Sequence, residues 1–425
     1  MAKLKILIVS HNALSTYNNM GKTLLSLFSA FPKEQLCQLF VHPALPDVEA
    51  CESYWRITDK QVLKGVATFS APGALVEGPV PYTPAGAGSN PAAGRSKPLA
   101  RLGRDALWKL SRWYSAPLKK WLAEQKPDCI FLAPGYAKFI YDIALKISRD
   151  FNIPIVTYIC DDYYFVKAPK GALARYQQWL LRRKMDKLFR KTVHVVGICP
   201  EILAPYTEKF GMEGTVLMTG ASFTAQRRPE HGGVGAEFCY FGNIGCNRYI
   251  NLAHMGRTLD EINRQTGKSH RLEIYTDESR EEILGEFKDI ASVSINGFVT
   301  PEAVKQKTLD ADFVVHTEAF DPESVDLVKN SVSTKIADSL SCGIPLIAYG
   351  PENVASMAHL IRHGCAFVAT SPEALRPMLD QALSDGHYFQ QIVDNALATA
   401  AACHDADANS RKLMNILQKA GADHE

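Results

Sequence analysis

The chain has 425 residues, of which 46% are hydrophobic and 22% charged, with a formal net charge of +2. That composition suits two or three folded domains and excludes a disordered chain. So balanced a charge leaves no electrostatic footprint for nucleic acid, and no uninterrupted apolar run approaches the ~18 residues of a membrane-spanning helix.

Lys3 and Lys5 precede Ile6-Leu7-Ile8-Val9, which looks like the start of a signal peptide. Ser10, His11 and Asn12 end the apolar stretch too early for one, so a buried first strand is expected over residues 5–10. Further strands are expected over residues 36–40, 129–132, 155–159 and 194–197, each followed by a helical pattern or a turn. That βαβα order predicts a parallel sheet covered by crossover helices. Residues 72–98 are dense in Gly, Ala and Pro and read as a mobile surface loop. Residues 224–235 are polar, and their Gly and Pro read as an interdomain linker.

The alternation then begins again. Strands are expected over residues 237–241, 271–275, 292–296, 313–316 and 346–349. Helices are expected over residues 251–265, 301–310 and 334–342. The fold class is α/β, with a first domain over residues 1–223 and a second over 236–400. A final helix near residues 409–420, within a tail of 401–425, is expected to pack back on the first domain. Ten cysteines are scattered from Cys37 to Cys403 without a CxxC pair, which points to reduced thiols, no structural metal and a cytosolic chain.

Ligands of open α/β sheets bind beyond the carboxyl ends of the strands. One such end reads Tyr240-Phe241-Gly242-Asn243-Ile244-Gly245-Cys246-Asn247-Arg248. Its glycines let backbone approach an anion and Arg248 supplies charge; an ordinary strand-to-helix turn reads the same way. A second segment, Asn330-Ser331-Val332-Ser333-Thr334-Lys335-Ile336-Ala337-Asp338, looks like a helix start, with Ser333 or Thr334 as N-cap. Phosphate would sit there beside Lys335, with Asp338 one turn on to accept from ribose hydroxyls. A capped, solvated helix is the alternative. Asp161 and Asp162 end a predicted strand, where a carboxylate orients an acceptor hydroxyl, acts as general base, or merely caps the next segment.

These residues resemble the GT-B glycosyltransferases, especially the family 4-like enzymes of bacterial capsule, exopolysaccharide and lipopolysaccharide synthesis. The likeness is carried by Tyr54-Trp55-Arg56-Ile57-Thr58-Asp59, Pro127-Asp128-Cys129-Ile130-Phe131, Tyr158-Ile159-Cys160-Asp161-Asp162-Tyr163-Tyr164 and, most specifically, Ser333-Thr334-Lys335-Ile336. It implies two Rossmann-like domains facing each other across a cleft, a nucleotide-sugar donor on the second, and a glycan or polyprenyl-linked acceptor on the first. By the same resemblance Gly242, Asn243, Gly245 and Arg248 face the donor diphosphate and Phe298 lies near the base. Ser333, Thr334 and Lys335 hold phosphate, and Asp338 holds ribose. No cofactor or metal is implied, and retention of anomeric configuration is. The family's Glu-x7-Glu pair has its second glutamate at Asp338 and its first at Asn330. Glu318 and Asp321 stand in for the missing one after an insertion, with Glu318 as a catalytic candidate beside Asp161 and Asp162.

Asp310-Ala311-Asp312 matches a metal-binding Asp-x-Asp but sits at a helix-to-strand junction and reads as structural. Met20-Gly21-Lys22-Thr23 lacks the first glycine of a P-loop; Gly21 reads instead as a point of close approach opposite the donor, with His11 and Asn12 lining the acceptor side or serving as satisfied loop polars. Two basic, Trp-bearing stretches, from Arg101 to Trp121 and from Arg175 to Lys191, are candidates for an anionic membrane surface on the cytoplasmic side, or are helices packed on a sheet. A nucleotide-sugar epimerase and a non-catalytic scaffold of polysaccharide assembly are the alternative functions.

Overall fold

The computed structural model describes residues 4–80, 98–167, 169–222 and 235–422. The linker expected over 224–235 lies almost wholly outside these residues, as does most of the loop expected over 72–98. The chain divides into two compact units, Met1–Met218 with Asp407–Glu425, and Thr219–Ala406.

The first unit opens with β1 (Ile6–Ser10), α1 (Asn19–Leu27), β2 (Leu36–Phe40), β3 (Ser53–Arg56), α2 (Asp59–Thr68) and β4 (Ala74–Leu75). It continues through α3 (Pro98–Leu110), α4 (Ala116–Gln125), β5 (Cys129–Ala133), α5 (Lys138–Phe151) and β6 (Ile155–Ile159). Then come α6 (Ala172–Phe189), β7 (Thr192–Gly197), α7 (Pro200–Phe210) and β8 (Gly214–Val216). The sheet runs β4-β3-β2-β1-β5-β6-β7-β8 and is parallel except for β4, which opposes β3. β1, β2, β5 and β6 are buried at every position, as strands covered on both faces must be. Strand order reverses between β1 and β5, which opens a crevice at their carboxyl ends.

The second unit contains β9 (Glu237–Phe241), α8 (Arg248–Thr266), β10 (Arg271–Tyr275), α9 (Glu281–Leu284), β11 (Val293–Asn296) and α10 (Pro301–Asp310). β12 (Phe313–Thr317), α11 (Pro322–Val328), α12 (Lys335–Ser341) and β13 (Leu346–Tyr349) follow, and α13 (Ala355–His363), β14 (Phe367–Ala369), α14 (Pro372–Ser384) and α15 (Gly386–Cys403) complete it. Its sheet is parallel in the order β11-β10-β9-β12-β13-β14. Phe238 and Phe313 stack at 4.7 Å in its core. Here the reversal falls between β9 and β12.

The last helix, α16 (Ala406–Ala422), belongs almost entirely to the first unit. Asn409 donates to the Met218 carbonyl at 3.1 Å and the Ser410 hydroxyl accepts from the Ala30 amide at 3.0 Å. Leu413 and Leu417 are fully buried beneath them.

Four strands carry no clear signal in the sequence. β3, β4, β8 and β14 are two to four residues long, too short for a period to register. β4 lies inside the segment expected to be loop throughout.

In the first basic, aromatic stretch two of the three tryptophans, Trp108 and Trp121, are core residues, while Trp113 is half-buried. Trp108 is 1% exposed, stacks on Phe139 at 3.8 Å and donates to Asp59 at 2.7 Å. Trp121 is buried and donates to the Ser53 hydroxyl at 2.7 Å. An apolar face beside basic residues is what a helix packed on a sheet also displays, and here packing claims it. On α6 the division differs: Leu181 and Phe189 are buried, while Leu173, Tyr176 and Trp179 are exposed.

Candidate functional site

The reversal point of the second sheet brings together residues distant in sequence. β9 ends at Phe241, and Gly242 turns the chain at φ +115°, its amide bonded to the Tyr275 carbonyl at 2.8 Å. A side chain there is excluded twice, by that φ and because a Cβ would come within 2.8 Å of Lys335 Cε and nearer still to its ammonium. The Lys335 stem thus lies along the Gly242 backbone, with its Nζ 5.7 Å from the Tyr240 ring. The Asn243 side-chain oxygen accepts from the Gly245 amide at 2.7 Å, and Tyr240 donates to the Asn243 carbonyl at 2.7 Å. Cys246 and Asn247, both at positive φ, complete the tight turn into α8.

Arg248, first residue of α8, donates from Nε and a terminal nitrogen to one oxygen of Glu318 at 2.9 and 2.8 Å. Glu318 follows β12 and is 4% exposed. Asn251 braces it, donating to the Glu318 carbonyl at 2.9 Å and the Thr317 hydroxyl at 3.1 Å. Burial raises the Glu318 pKa, against the pull of the Arg248 and Lys335 charges. His316 lies 3.8 Å from the other Glu318 oxygen, and its buried Nε2 has no hydrogen-bond partner. Burial, then Arg248 and Lys335, hold its pKa at about 3, so the ring is neutral at pH 7. This histidine was missed by sequence reasoning, because a strand buried on both faces reads as one apolar run and gives no sign of which polar residue within it faces the site.

Other expected donor residues stand elsewhere or are otherwise engaged. The Asp338 carboxylate accepts from the Ser222 amide at 2.6 Å and its hydroxyl at 2.7 Å, a tie between α12 and the segment that enters the unit. The Ser333 amide donates to the Ser356 hydroxyl at 3.2 Å. Thr334 precedes α12 with helical backbone angles and makes no side-chain cap bond, so the expected capping geometry is not formed. Phe298 is 64% exposed in the turn after the edge strand β11. Asp321 caps α11, accepting from the Ser324 amide at 2.9 Å and from Asn247 at 3.0 Å. Asp312 accepts from the Glu237 amide at 2.9 Å. Among the described residues, no group of three or more His, Cys, Asp or Glu is placed to hold a metal ion. None of the ten cysteines is in a disulfide, and Cys246, two residues before Arg248, is exposed.

In the first unit the two adjacent aspartates part company. Asp162 accepts from the Tyr164 and Phe165 amides, each at 2.9 Å, and from the Tyr206 hydroxyl at 2.9 Å. That is the capping role. Asp161 accepts from the Tyr163 hydroxyl at 3.2 Å at the carboxyl end of β6. Asp162→Ala is therefore expected to destabilise the protein by about 2–3 kcal/mol, since hydrogen bonds to a charged group are lost and the amides orphaned. A urea midpoint equal to wild type would remove that role.

Gly21 is buried, and a Cβ there would come within 2.8 Å of the Ser15 amide and the Asn18 side chain. Its smallness is required by the loop's own packing. Asn12 donates to the Asn18 side chain at 3.1 Å, so it is a satisfied loop polar. His11 follows β1 at the crevice, its ring edge-on to His42 at 5.5 Å.

No protein-family model matches the sequence, and no curated protein does. Solved structures do match. HepE of Anabaena, in complex with UDP and glucose, superposes with a TM-score of 0.63 at 13% identity, covering 98% of this chain and 100% of that one. Sucrose-phosphate synthase of Thermosynechococcus elongatus gives 0.63 at 12% identity over 99% and 100%. A UDP-forming trehalose-phosphate synthase of Burkholderia xenovorans, in complex with glucose-6-phosphate, gives 0.60 at 8% identity over 97% and 100%. This chain, with its two sheets, has the GT-B fold of these proteins.

Proposed function

We propose that this chain is a glycosyltransferase that takes a sugar from a nucleotide-diphosphate donor, with UDP as the first base to test. One observation carries the reading: the Lys335 ammonium lies over the backbone of Gly242 at the reversal point of the second sheet, where anions bind in open α/β sheets. Arg248 stands in the same turn region, held by Glu318. UDP, UDP-glucose and glucose are bound by the solved HepE structures, which favours a UDP-hexose among donors.

The resemblance to family 4-like enzymes supports the finer reading: retention of anomeric configuration without a metal, and a glycan or lipid-linked acceptor of surface-polysaccharide synthesis. Peripheral contact with an anionic membrane rests on α6 alone, where exposed Leu173, Tyr176 and Trp179 stand beside Arg175 and Arg183. Arg183 packs over the Trp179 ring at 4.8 Å. Co-sedimentation with anionic vesicles at low salt, lost at high salt and in Trp179→Ala, is the expected result; no binding at low salt ends that part of the proposal.

The function itself is tested by calorimetry with a panel of nucleotide-sugars, followed by nucleotide release. Release that requires an acceptor supports transfer. Epimerised sugar without release would make the chain an epimerase, and no nucleotide binding at all would leave a scaffold. Asp161→Asn is expected to lower turnover at least tenfold with donor affinity unchanged, the signature of an acceptor-side group. Full activity in that variant would take Asp161 out of the reaction.

A further inference from the structure

The reversal point of the first sheet holds a second group of polar side chains, contributed by five elements. His11 follows β1 and His42 follows β2, and the two backbones are joined where the Val41 amide donates to the His11 carbonyl at 3.2 Å. Asp59 opens α2, while Arg101 and Arg104 lie on α3. Across the crevice Tyr136 follows β5, with the Arg101 guanidinium 5.4 Å from its ring.

What these groups are bonded to is uneven. Asp59 is well supplied, accepting from Trp108 at 2.7 Å and from Arg104 Nε at 3.0 Å. The Arg104 guanidinium lies over Phe139, 4.9 Å from the ring centre. Its two terminal nitrogens form no hydrogen bond among the described residues. The His11 ring likewise forms none among them, although it is half-buried. His42 accepts from the Ala44 amide through Nδ1 at 3.1 Å, which leaves Nε2 as its remaining polar atom. A planar fork of donors tied by Asp59 to the same end of the sheet as the paired His11 and His42 rings matches the oxygens of a phosphate. Arg101 and Arg104 outweigh the single charge of Asp59, and nearby Lys138 is already paired with Asp105.

We infer that Arg104, with His11 and His42, forms the seat for a phosphate group carried by the acceptor, so that the acceptor is a phosphorylated sugar or a lipid phosphate rather than a neutral glycan. This rests on the proposed transfer reaction only for the word acceptor; the anion site stands on its own residues. Burial, then the Arg104 and His42 charges, lower the His11 pKa to about 4, with Asp59 opposing. His42 is lowered by burial and Arg104, again with Asp59 opposing. Both imidazoles are therefore neutral in the empty site at pH 7, and a phosphate arriving beside them raises their affinity for protons. Binding should then take up protons, beyond any exchanged by the phosphate itself.

The test is calorimetry on the full chain with inorganic phosphate and glucose 6-phosphate, with glucose as the neutral control, in buffers of different ionisation enthalpy. UDP is titrated separately. Wild type should bind the two phosphates with proton uptake and bind glucose at least tenfold more weakly than glucose 6-phosphate. Arg104→Ala should weaken phosphate binding at least tenfold, and Arg104→Lys, which keeps the charge and the packed stem, less. His11→Gln should reduce the proton uptake, with UDP affinity unchanged in all three. A clear gain of glucose 6-phosphate over inorganic phosphate marks a soluble sugar phosphate as the source. Retention on phosphatidylcholine vesicles containing a polyprenyl phosphate, without that gain, marks a lipid. Equal phosphate affinity in wild type, Arg104→Ala and His11→Gln overturns the site. UDP binding without phosphate binding sinks this inference alone, whereas phosphate binding without UDP binding sinks the transferase reading and leaves the anion site.

Discussion

Lys335→Ala is expected to weaken UDP binding at least tenfold while leaving the fold intact. The ammonium reaches the Gly242 turn along the backbone itself, and a charge-assisted contact of that kind is worth roughly 1.5–3 kcal/mol. The stem packs against a glycine rather than within a core, and α12 keeps its buried Ile336, Ala337 and Leu340, so the helix stays seated. Lys335→Arg is the informative partner. The longer, planar guanidinium cannot lie in the narrow space over Gly242 as the lysine stem does, and affinity should recover only in part despite the retained charge. Calorimetry with UDP at fixed ionic strength reads both variants. Unchanged affinity in Lys335→Ala would falsify the donor site.

Glu318→Ala has the larger effect on stability. The carboxylate is buried and holds Arg248 by two bonds to one oxygen. Removing one partner of such a pair leaves an uncompensated charge, at a cost of about 3–5 kcal/mol. Arg248→Ala should be damaging too, because Glu318 is then buried and alone. The double variant should be less destabilised than the two singles added together, since the charge left stranded in each single is gone. Urea unfolding of the four proteins measures the coupling, and simple additivity would mean that the pair contributes nothing. The same pairing fixes the position of the Arg248 guanidinium at the start of α8.

Much of the fold was legible because parallel strands buried on both faces are continuous apolar runs, and runs need no partner to be recognised. β2, β6, β9, β10 and β13 fall where the sequence places them, to the residue. The glycine turn at Gly242 and the lysine at Lys335 were both visible as local patterns, each with a bland reading beside it. Neither pattern could say that the two meet. That depends on β9 and β12 being neighbours in the sheet, which follows from the topology and not from any short stretch of chain.

Roles that hinge on which partner a polar group finds were not legible. Asp161 and Asp162 are adjacent and chemically identical, yet two backbone amides and a tyrosine hydroxyl claim one, while a tyrosine hydroxyl and the Cys160 thiol contact the other. Asp338 looked like a ribose ligand by spacing and is held by Ser222. Trp108 and Trp121 looked like interfacial anchors and are core residues, because an amphipathic pattern is the same whether a sheet or a membrane covers it. The sequence by itself determined two α/β units, their principal strands and the local glycine-turn and lysine patterns at Gly242 and Lys335, since these rest on local hydrophobic runs and local backbone geometry. Tertiary structure alone decided which carboxylates are spent on the scaffold, that Arg248 is held by Glu318, and that His11 meets His42 and Arg104 meets Asp59, because hydrogen bonds and burial are properties of pairs brought together by folding.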